Sequence, residues 1–374
     1  MKRLLICSIA LILFLSLGMA ASAAEPIKIG LNLEMTGGTA AYGQMGYEGL
    51  QLIQELVKPE VLGRPVQFVL VDNKTDRVEA ANATSRLIEK EHVVAIIGPM
   101  ISGNMLAAGP IAEKYQIPII GPSTTNPLTT QGKQFVFRAC FIDPFQGTIA
   151  AKFAYETLRA KKAAILSDIN QDYCVALGKF FKQEFERLGG KVVSETYLKT
   201  GDQDMTAQLT AIKRAKPDVI YFPNYYTEIA IAARQARDLG LTQPILSGDG
   251  ADAPELISIG GKAVEGLMHT AFWHEKTAVT EIGKKYLKAY KEKYGKAPNA
   301  FGALAADSYL ILLDAIKRAG STDPKKIRDA IEATKNLQVV TGPVTIKNGD
   351  AIKSIVLRRV KNGQFEFLTV VNPQ

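Results

Sequence analysis

The sequence predicts an α/β protein built as two doubly wound parallel-sheet lobes with a ligand cleft between them. Three observations carry that expectation. Short apolar runs alternate with stretches of 3.6-residue periodicity along residues 27–246, the pattern of parallel strands covered by helices. Two stretches of the alternation resemble each other: Val93-Val-Ala-Ile-Ile-Gly-Pro99 followed by Gln116-Ile-Pro-Ile-Ile-Gly-Pro122, and Asp218-Val-Ile-Tyr-Phe-Pro223 followed by Gln243-Pro-Ile-Leu-Ser-Gly-Asp249. Each reads strand, polar turn, helix, strand, polar turn. Finally, 374 residues with 47% hydrophobic and 22% charged side chains suit two or three domains with full cores, and exclude disordered, collagen-like and disulfide-knot chains.

The chain opens with a secretory leader. Met1-Lys2-Arg3 is a short positive start, residues 4–17 form an apolar run, and Ala21-Ser22-Ala23-Ala24 offers a small-residue cleavage site, so residues 1–23 are expected to be a signal peptide. The run is short for a membrane span of about 20 residues, no Lys/Arg cluster follows it, and Cys7 lies too early to be a lipid-bearing cysteine. An exported protein, located in a periplasm, is the expectation. Beyond the leader only Cys140 and Cys174 remain; the compartment permits a bridge, but both sit in apolar stretches and are read as buried free thiols.

The elements follow in order. Strand 27–33 leads to the turn Thr36-Gly37-Gly38. A helix is expected over 47–57, a strand over 66–71, a helix over 79–90 with Ala80, Ala83, Leu87 and Ile88 on one face, a strand over 93–97, a helix over 105–115, and strands over 118–120 and 135–138. The pattern then restarts, with helices at 145–159, 174–188, 205–213 and 228–239 and strands at 163–167, 191–197, 219–222 and 245–246. The polar turns end strands, where open α/β sheets bind ligands. Two such edges facing each other make a cleft suited to a small molecule.

The turns supply chemistry of opposite sign. Ser102 and Ser123-Thr124-Thr125 precede expected helix starts, where unpaired N–H groups and a positive dipole end favour an anion; capping of their own helices is the simpler alternative role. On the other lobe Asp249 lies between Gly248 and Gly250, a carboxylate at the cleft edge that could hold an ammonium group or serve only as a turn residue. Tyr173 and Tyr225 could offer flat walls or a hydroxyl. Hydroxyls facing a carboxylate complement a zwitterion, and an α-amino acid fits. Met100, Ile101, Phe272, Trp273 and Phe301 could line a side-chain pocket or pack in the core.

Competing functions leave fewer traces. The formal net charge of +8 includes Lys2 and Arg3 of the leader and is spread without a basic run, so nucleic acid is not an expected partner. Three histidines speak against a histidine-rich metal site, and no metal or cofactor is expected. No nucleophile elbow, P-loop, dinucleotide fingerprint or zinc-protease motif is present, so an enzyme is not expected.

Glu34-Met-Thr-Gly-Gly-Thr-Ala-Ala-Tyr42-Gly, Asp72-Asn-Lys-Thr-Asp, Ile97-Gly-Pro-Met-Ile-Ser102, Gly121-Pro-Ser-Thr-Thr125-Asn-Pro, Asp172-Tyr173, Ala233-Arg-Gln-Ala-Arg-Asp-Leu-Gly240 and Ser247-Gly-Asp249-Gly together resemble the leucine/isoleucine/valine-binding group of periplasmic solute-binding proteins, over essentially the whole chain after the leader. The resemblance implies the type I periplasmic binding fold, its lobes joined by a three-strand hinge with crossovers near 142, 271 and 353. One lobe would then comprise 24–142 plus 272–353 and the other 143–271 plus 354–374. It implies that Ser102 and Thr125 hold a ligand carboxylate, that the Ser123 carbonyl and Asp249 hold its ammonium, that Tyr173 and Tyr225 close over it, and that Tyr42 and Phe301 form the wall. It implies a monomer serving the permease and ATPase of an ABC importer in the inner membrane, by hinge closure. Binding of another small carboxylate or amide, such as an aromatic acid, or a ligand-presenting sensor role, would use the same fold. Two departures stand out. Thr75 and Ile101 occupy the positions where relatives often carry a disulfide, and Trp273-His274 fits no family pattern.

Overall fold

The computed structural model describes residues 24–373; the expected leader, residues 1–23, lies outside them. Sixteen strands form three sheets among the described residues. The first holds β1 (Ile27–Leu33), β2 (Glu60–Val61), β3 (Arg64–Asp72), β4 (Ala95–Ile97), β5 (Ile119–Gly121) and β6 (Val136–Arg138). Their order is β2-β3-β1-β4-β5-β6, parallel from β3 to β6. The second holds β7 (Lys162–Asp168), β8 (Lys191–Leu198), β9 (Val219–Phe222), β10 (Ile245–Ser247), β11 (Met268–Ala271), β15 (Ile355–Lys361) and β16 (Gln364–Val371). Here the order is β16-β15-β11-β10-β9-β7-β8. The hairpin β15–β16 closes one edge by pairing antiparallel with β11. A small antiparallel sheet joins β12 (Leu337–Val339), β13 (Gly342–Lys347) and β14 (Asp350–Ile352).

Helices α1 (Ala40–Leu56), α2 (Arg77–Glu89) and α3 (Ser102–Tyr115) connect strands of the first sheet. In the second lobe the helices are α4 (Asp143–Lys152), α5 (Asp172–Arg187), α6 (Thr206–Ala215), α7 (Tyr226–Asp238) and α8 (Pro254–Gly260). Three more follow: α9 (Glu281–Tyr294), α10 (Ala300–Ala319) and α11 (Pro324–Glu332). The alternation read from sequence is therefore the architecture. β1, β4, β5 and β9 are almost wholly buried because helices cover both faces, and this is why they read as continuous apolar runs.

The boundaries differ where packing overrides propensity. The first helix begins at Ala40, well before the expected 47, and contains Gly43, Gly46 and Gly49. Glycine disfavours a helix interior by roughly 1 kcal/mol each. Contact explains their presence: a Cβ at Gly49 would lie 2.1 Å from the Gly302 carbonyl oxygen of α10, so the two backbones touch. The helix expected over 145–159 starts at Asp143, and its last part, Phe153–Thr157, is a wide π turn. Tyr173, expected on a turn, lies in the first turn of α5. Cys140 and Cys174 are both buried free thiols.

Candidate functional site

The carboxyl ends of the parallel strands in both sheets meet across one small cavity. Tyr42, Met100, Ile101, Ser102, Ser123, Tyr173, Tyr225, Asp249, Gly250 and Phe301 line it. Every expected ligand or pocket residue except Thr125, Phe272 and Trp273 is thus brought to one wall or another, and Gly250 joins them.

On the first lobe the floor is a pair of turns. Ser102 is the first residue of α3, but its hydroxyl caps nothing in that helix. Ser102 Oγ instead accepts the backbone N–H of Asn126 at 3.2 Å, leaving its own proton free for the cavity. The Ser123 hydroxyl donates to the Met100 carbonyl at 2.7 Å, tying the two turns together. Thr125 is fully buried with no well-formed hydrogen bond from its hydroxyl and does not line the cavity. Beneath the turns sits Arg138, 0% exposed. Its Nη1 donates to the Thr124 carbonyl at 2.7 Å, and its Nη2 donates to the Asn126 carbonyl at 3.0 Å and to Thr130 Oγ1 at 2.6 Å. Its Nε lies 2.7 Å from the Asp350 carboxylate. Glu34 anchors the other side: its buried carboxylate accepts the Met100 N–H and the Asn104 Nδ2 amide, each at 2.9 Å. Burial raises its pKa, an effect these hydrogen bonds partly offset.

On the second lobe Asp249 follows β10. Gly248 is required there because a Cβ would lie 2.4 Å from the Tyr173 hydroxyl and 2.7 Å from Gln146 Nε2. Those same groups donate to Asp249 Oδ1, Gln146 at 2.7 Å and Tyr173 at 2.9 Å. Asp249 is 4% exposed and pairs with no Lys, Arg or His among the described residues. Burial pushes its pKa up to about 7, against the lowering effect of the Gln146 and Tyr173 hydrogen bonds. The tyrosines form a continuous aromatic wall: Tyr173 stacks on Tyr225 at 5.3 Å, and Tyr42 stacks on Phe301 at 4.3 Å.

The lobes are drawn together in this structure. The Tyr42 hydroxyl donates to the Gly250 carbonyl at 2.6 Å. At the rim Arg77 lies 2.6 Å from Asp172 and donates to the Asn170 carbonyl at 2.9 Å, while Asn126 Nδ2 donates to the Asp172 carbonyl at 3.0 Å. Tyr42→Phe removes one such bridge without changing shape. A net hydrogen bond is worth about 1 kcal/mol, so a roughly fivefold loss of ligand affinity is expected, read by stopped-flow as faster release. An unchanged release rate would mean that this bond does nothing to hold the lobes together.

One anion-accepting floor, one uncompensated carboxylate and a mostly apolar wall are chemically complementary to a small zwitterion. The most basic-looking alternatives lie elsewhere: His269 is fully buried, 4.0 Å from Asp252, with its pKa lowered to about 4 by burial. No group of three or more His, Cys, Asp or Glu is placed to hold a metal ion among the described residues. No described helix is long and apolar enough to cross a membrane.

A family model described as "periplasmic binding protein" matches residues 26–364. The chain belongs to the periplasmic binding protein family. A leucine-binding protein from Thermotoga maritima is 51% identical and superposes with a TM-score of 0.91, covering 93% of this chain and 99% of its own. A branched-chain amino acid transporter substrate-binding protein from Streptococcus pneumoniae, solved in complex with isoleucine, is 32% identical with a TM-score of 0.88, over 93% and 100% of the two chains. A leucine-, isoleucine-, valine-, threonine- and alanine-binding protein from Pseudomonas aeruginosa is 30% identical, over 83% of each chain. The two-lobed type I periplasmic binding fold is therefore shared by this periplasmic binding protein.

Three of the residues singled out from sequence, Thr125, Phe272 and Trp273, do not line the cavity, and several that shape it were not singled out. Trp273 is 1% exposed but does not line the cavity; its neighbour Phe272 is the ring that meets Phe301, at 5.5 Å. Gln146 carries no sequence signal, being one polar residue in an expected helix. Arg138 did carry one: a charge ending the apolar run Phe135-Val136-Phe137 needs a buried acceptor set. Arg77 and Asp172 meet only because the lobes do.

Proposed function

We propose that this protein is the extracytoplasmic solute-binding component of an ABC importer, and that it binds an α-amino acid with an apolar, branched side chain between its lobes. The ligand carboxylate docks first on the turns carrying Ser102, Ser123 and Thr125. The lobe comprising 143–271 and 354–374 then swings about crossovers near 142, 271 and 353 onto the lobe comprising 24–142 and 272–353. That motion brings Asp249, with the Ser123 carbonyl, onto the ammonium group and Tyr173 and Tyr225 over the ligand. Met100, Ile101, Tyr42 and Phe301 meet its side chain. Closure is a two-state equilibrium that the ligand shifts. Residues 1–23 direct export to the periplasm, and the closed monomer is the form presented to the permease and ATPase.

The observation that carries this reading is Asp249. A buried carboxylate without a cation is costly, and the ammonium of an amino acid removes the cost. A simple carboxylic acid would leave it in place. The relatives that bind leucine or isoleucine support the branched-chain choice. The test is a thermal-shift screen of protein unfolded and refolded to strip carried-over ligand, against the amino acids, their des-amino analogues, simple amides and aromatic carboxylates. A ligand at ~100 times its Kd stabilises by about 2.7 kcal/mol. Shifts with leucine, isoleucine or valine are expected. Shifts with des-amino or aromatic acids alone would overturn the ammonium role of Asp249.

A further inference from the structure

Asp143 is the first residue of α4, immediately after the first crossover, and is 0% exposed. Neither of its carboxyl oxygens nor the Thr125 hydroxyl makes a well-formed hydrogen bond, though the hydroxyl lies close enough to Asp143 to favour its anion. The two residues are fixed side by side, since the Asp143 N–H donates to the Thr125 carbonyl at 3.0 Å. Buried polar groups left alone are rare and ask for an explanation.

A threonine hydroxyl has one proton. If Asp143 were ionised it would draw that proton to itself, and Thr125 would present only lone pairs to an incoming carboxylate, with a second anion behind them. If Asp143 keeps its proton, it donates to Thr125 Oγ1 and the Thr125 proton is free to point into the cleft. The surroundings favour the second arrangement. Burial raises the Asp143 pKa well above the carboxylate range, and the like charge of Asp249 adds to this. The Thr125 hydroxyl and the Arg138 guanidinium act in the opposite direction. Arg138 is already committed to Asp350 and three oxygens of the turn. The other titratable groups that feel Asp143 are Cys140, Tyr173, Cys174, Tyr221 and Tyr225, none of them a cation.

We propose that Asp143 is a positioning residue for the ligand carboxylate: its carboxyl O–H donates to Thr125 Oγ1 and so turns the Thr125 hydroxyl toward the cleft. The inference rests on the reading above that Thr125 takes part in carboxylate binding. No bond to the ligand is made by Asp143 itself.

Calorimetric titration of leucine into the refolded mature protein tests it, using Asp143→Asn, Asp143→Ala, Thr125→Ala and the double variant Asp143→Ala/Thr125→Ala. The Asn amide donates a hydrogen bond as the neutral acid does, so Asp143→Asn should bind within twofold of wild type. Asp143→Ala should lose about fivefold, the scale of one neutral hydrogen bond, and this loss should vanish in the Thr125→Ala background. Asp143→Leu replaces Asp143→Ala if the smaller side chain does not give a folded protein. Three results would overturn the inference: Asp143→Ala binding like wild type, Asp143→Asn failing as badly as Asp143→Ala, or an Asp143→Ala loss that persists without the threonine hydroxyl. Thr125→Ala binding like wild type would instead overturn the placement of Thr125 in the site, and the inference with it.

Discussion

Asp249→Asn is expected to weaken leucine binding by roughly 30-fold or more. Removing one partner of a buried charged pair costs about 2–5 kcal/mol, or roughly 30- to 5,000-fold, and the amide that replaces it presents donors to an ammonium. The same residue predicts a pH dependence. Without ligand, Asp249 titrates at about 7, and only its ionised form attracts the ammonium. Leucine affinity should therefore be flat above about pH 8 and fall towards tenfold per unit below about pH 6. For the ligand-free protein the sign is opposite. An acid whose pKa is raised on folding contributes stability at pH values below its unfolded pKa, and that contribution is lost as pH rises through about 7. Ligand-free Asp249→Asn should thus melt higher than wild type at pH 8, where wild type must bury a bare anion. Calorimetric titration from pH 5.5 to 8.5, with melting curves on the same samples, reads both effects. An Asp249→Asn protein that binds leucine as tightly as wild type would refute the assignment.

Arg138→Met should cost about 1–3 kcal/mol of stability, the scale of leaving buried hydrogen-bond acceptors unsatisfied, since its ion-pair partner Asp350 is a third exposed, and should also blunt ligand binding. The guanidinium gathers the Thr124 and Asn126 carbonyls, the Thr130 hydroxyl and the Asp350 carboxylate around one 0%-exposed side chain. Its loss strands all four, and the Ser123–Thr125 turn loses its support. Arg138→Lys keeps the charge but not the planar fork, so it should fall between. Urea unfolding together with leucine titration measures the two effects. A stable Arg138→Met protein with wild-type affinity would mean that the turn holds its shape unaided.

The fold was legible because parallel strands covered on both faces leave unbroken apolar runs, such as Val93-Val-Ala-Ile-Ile and Val219-Ile-Tyr-Phe. The polar turns after those strands stood out against them, which is why Ser102, Ser123 and Asp249 could be singled out. The early start of α1 was not legible. Its glycines disfavour a helix locally, and only close contacts formed in the fold make them necessary: α10 against Gly49 and the Glu34 carbonyl against Gly43. The residues acting on the site from behind were hidden for a related reason. Gln146 and Asp143 lie in an ordinary helical stretch, and what they do depends on Asp249 and Thr125, each far along the chain or across a crossover. Within residues 247–374 the three-residue strands β12 and β14 fall below the length at which alternation can be recognised.

The antiparallel hairpin β15–β16 has a consequence for how the molecule is made. β11 has β10 on one side and β15 on the other, so until residues 355–371 arrive, the sheet that carries Asp249 ends in an open strand. Open edges invite pairing with other chains. A chain made from its amino terminus emerges with that edge uncovered longest, and contacts spanning such sequence distances form slowly. The second lobe therefore depends on its last segment to seal it, and the interval before sealing is when the newly made chain most needs protection from its neighbours.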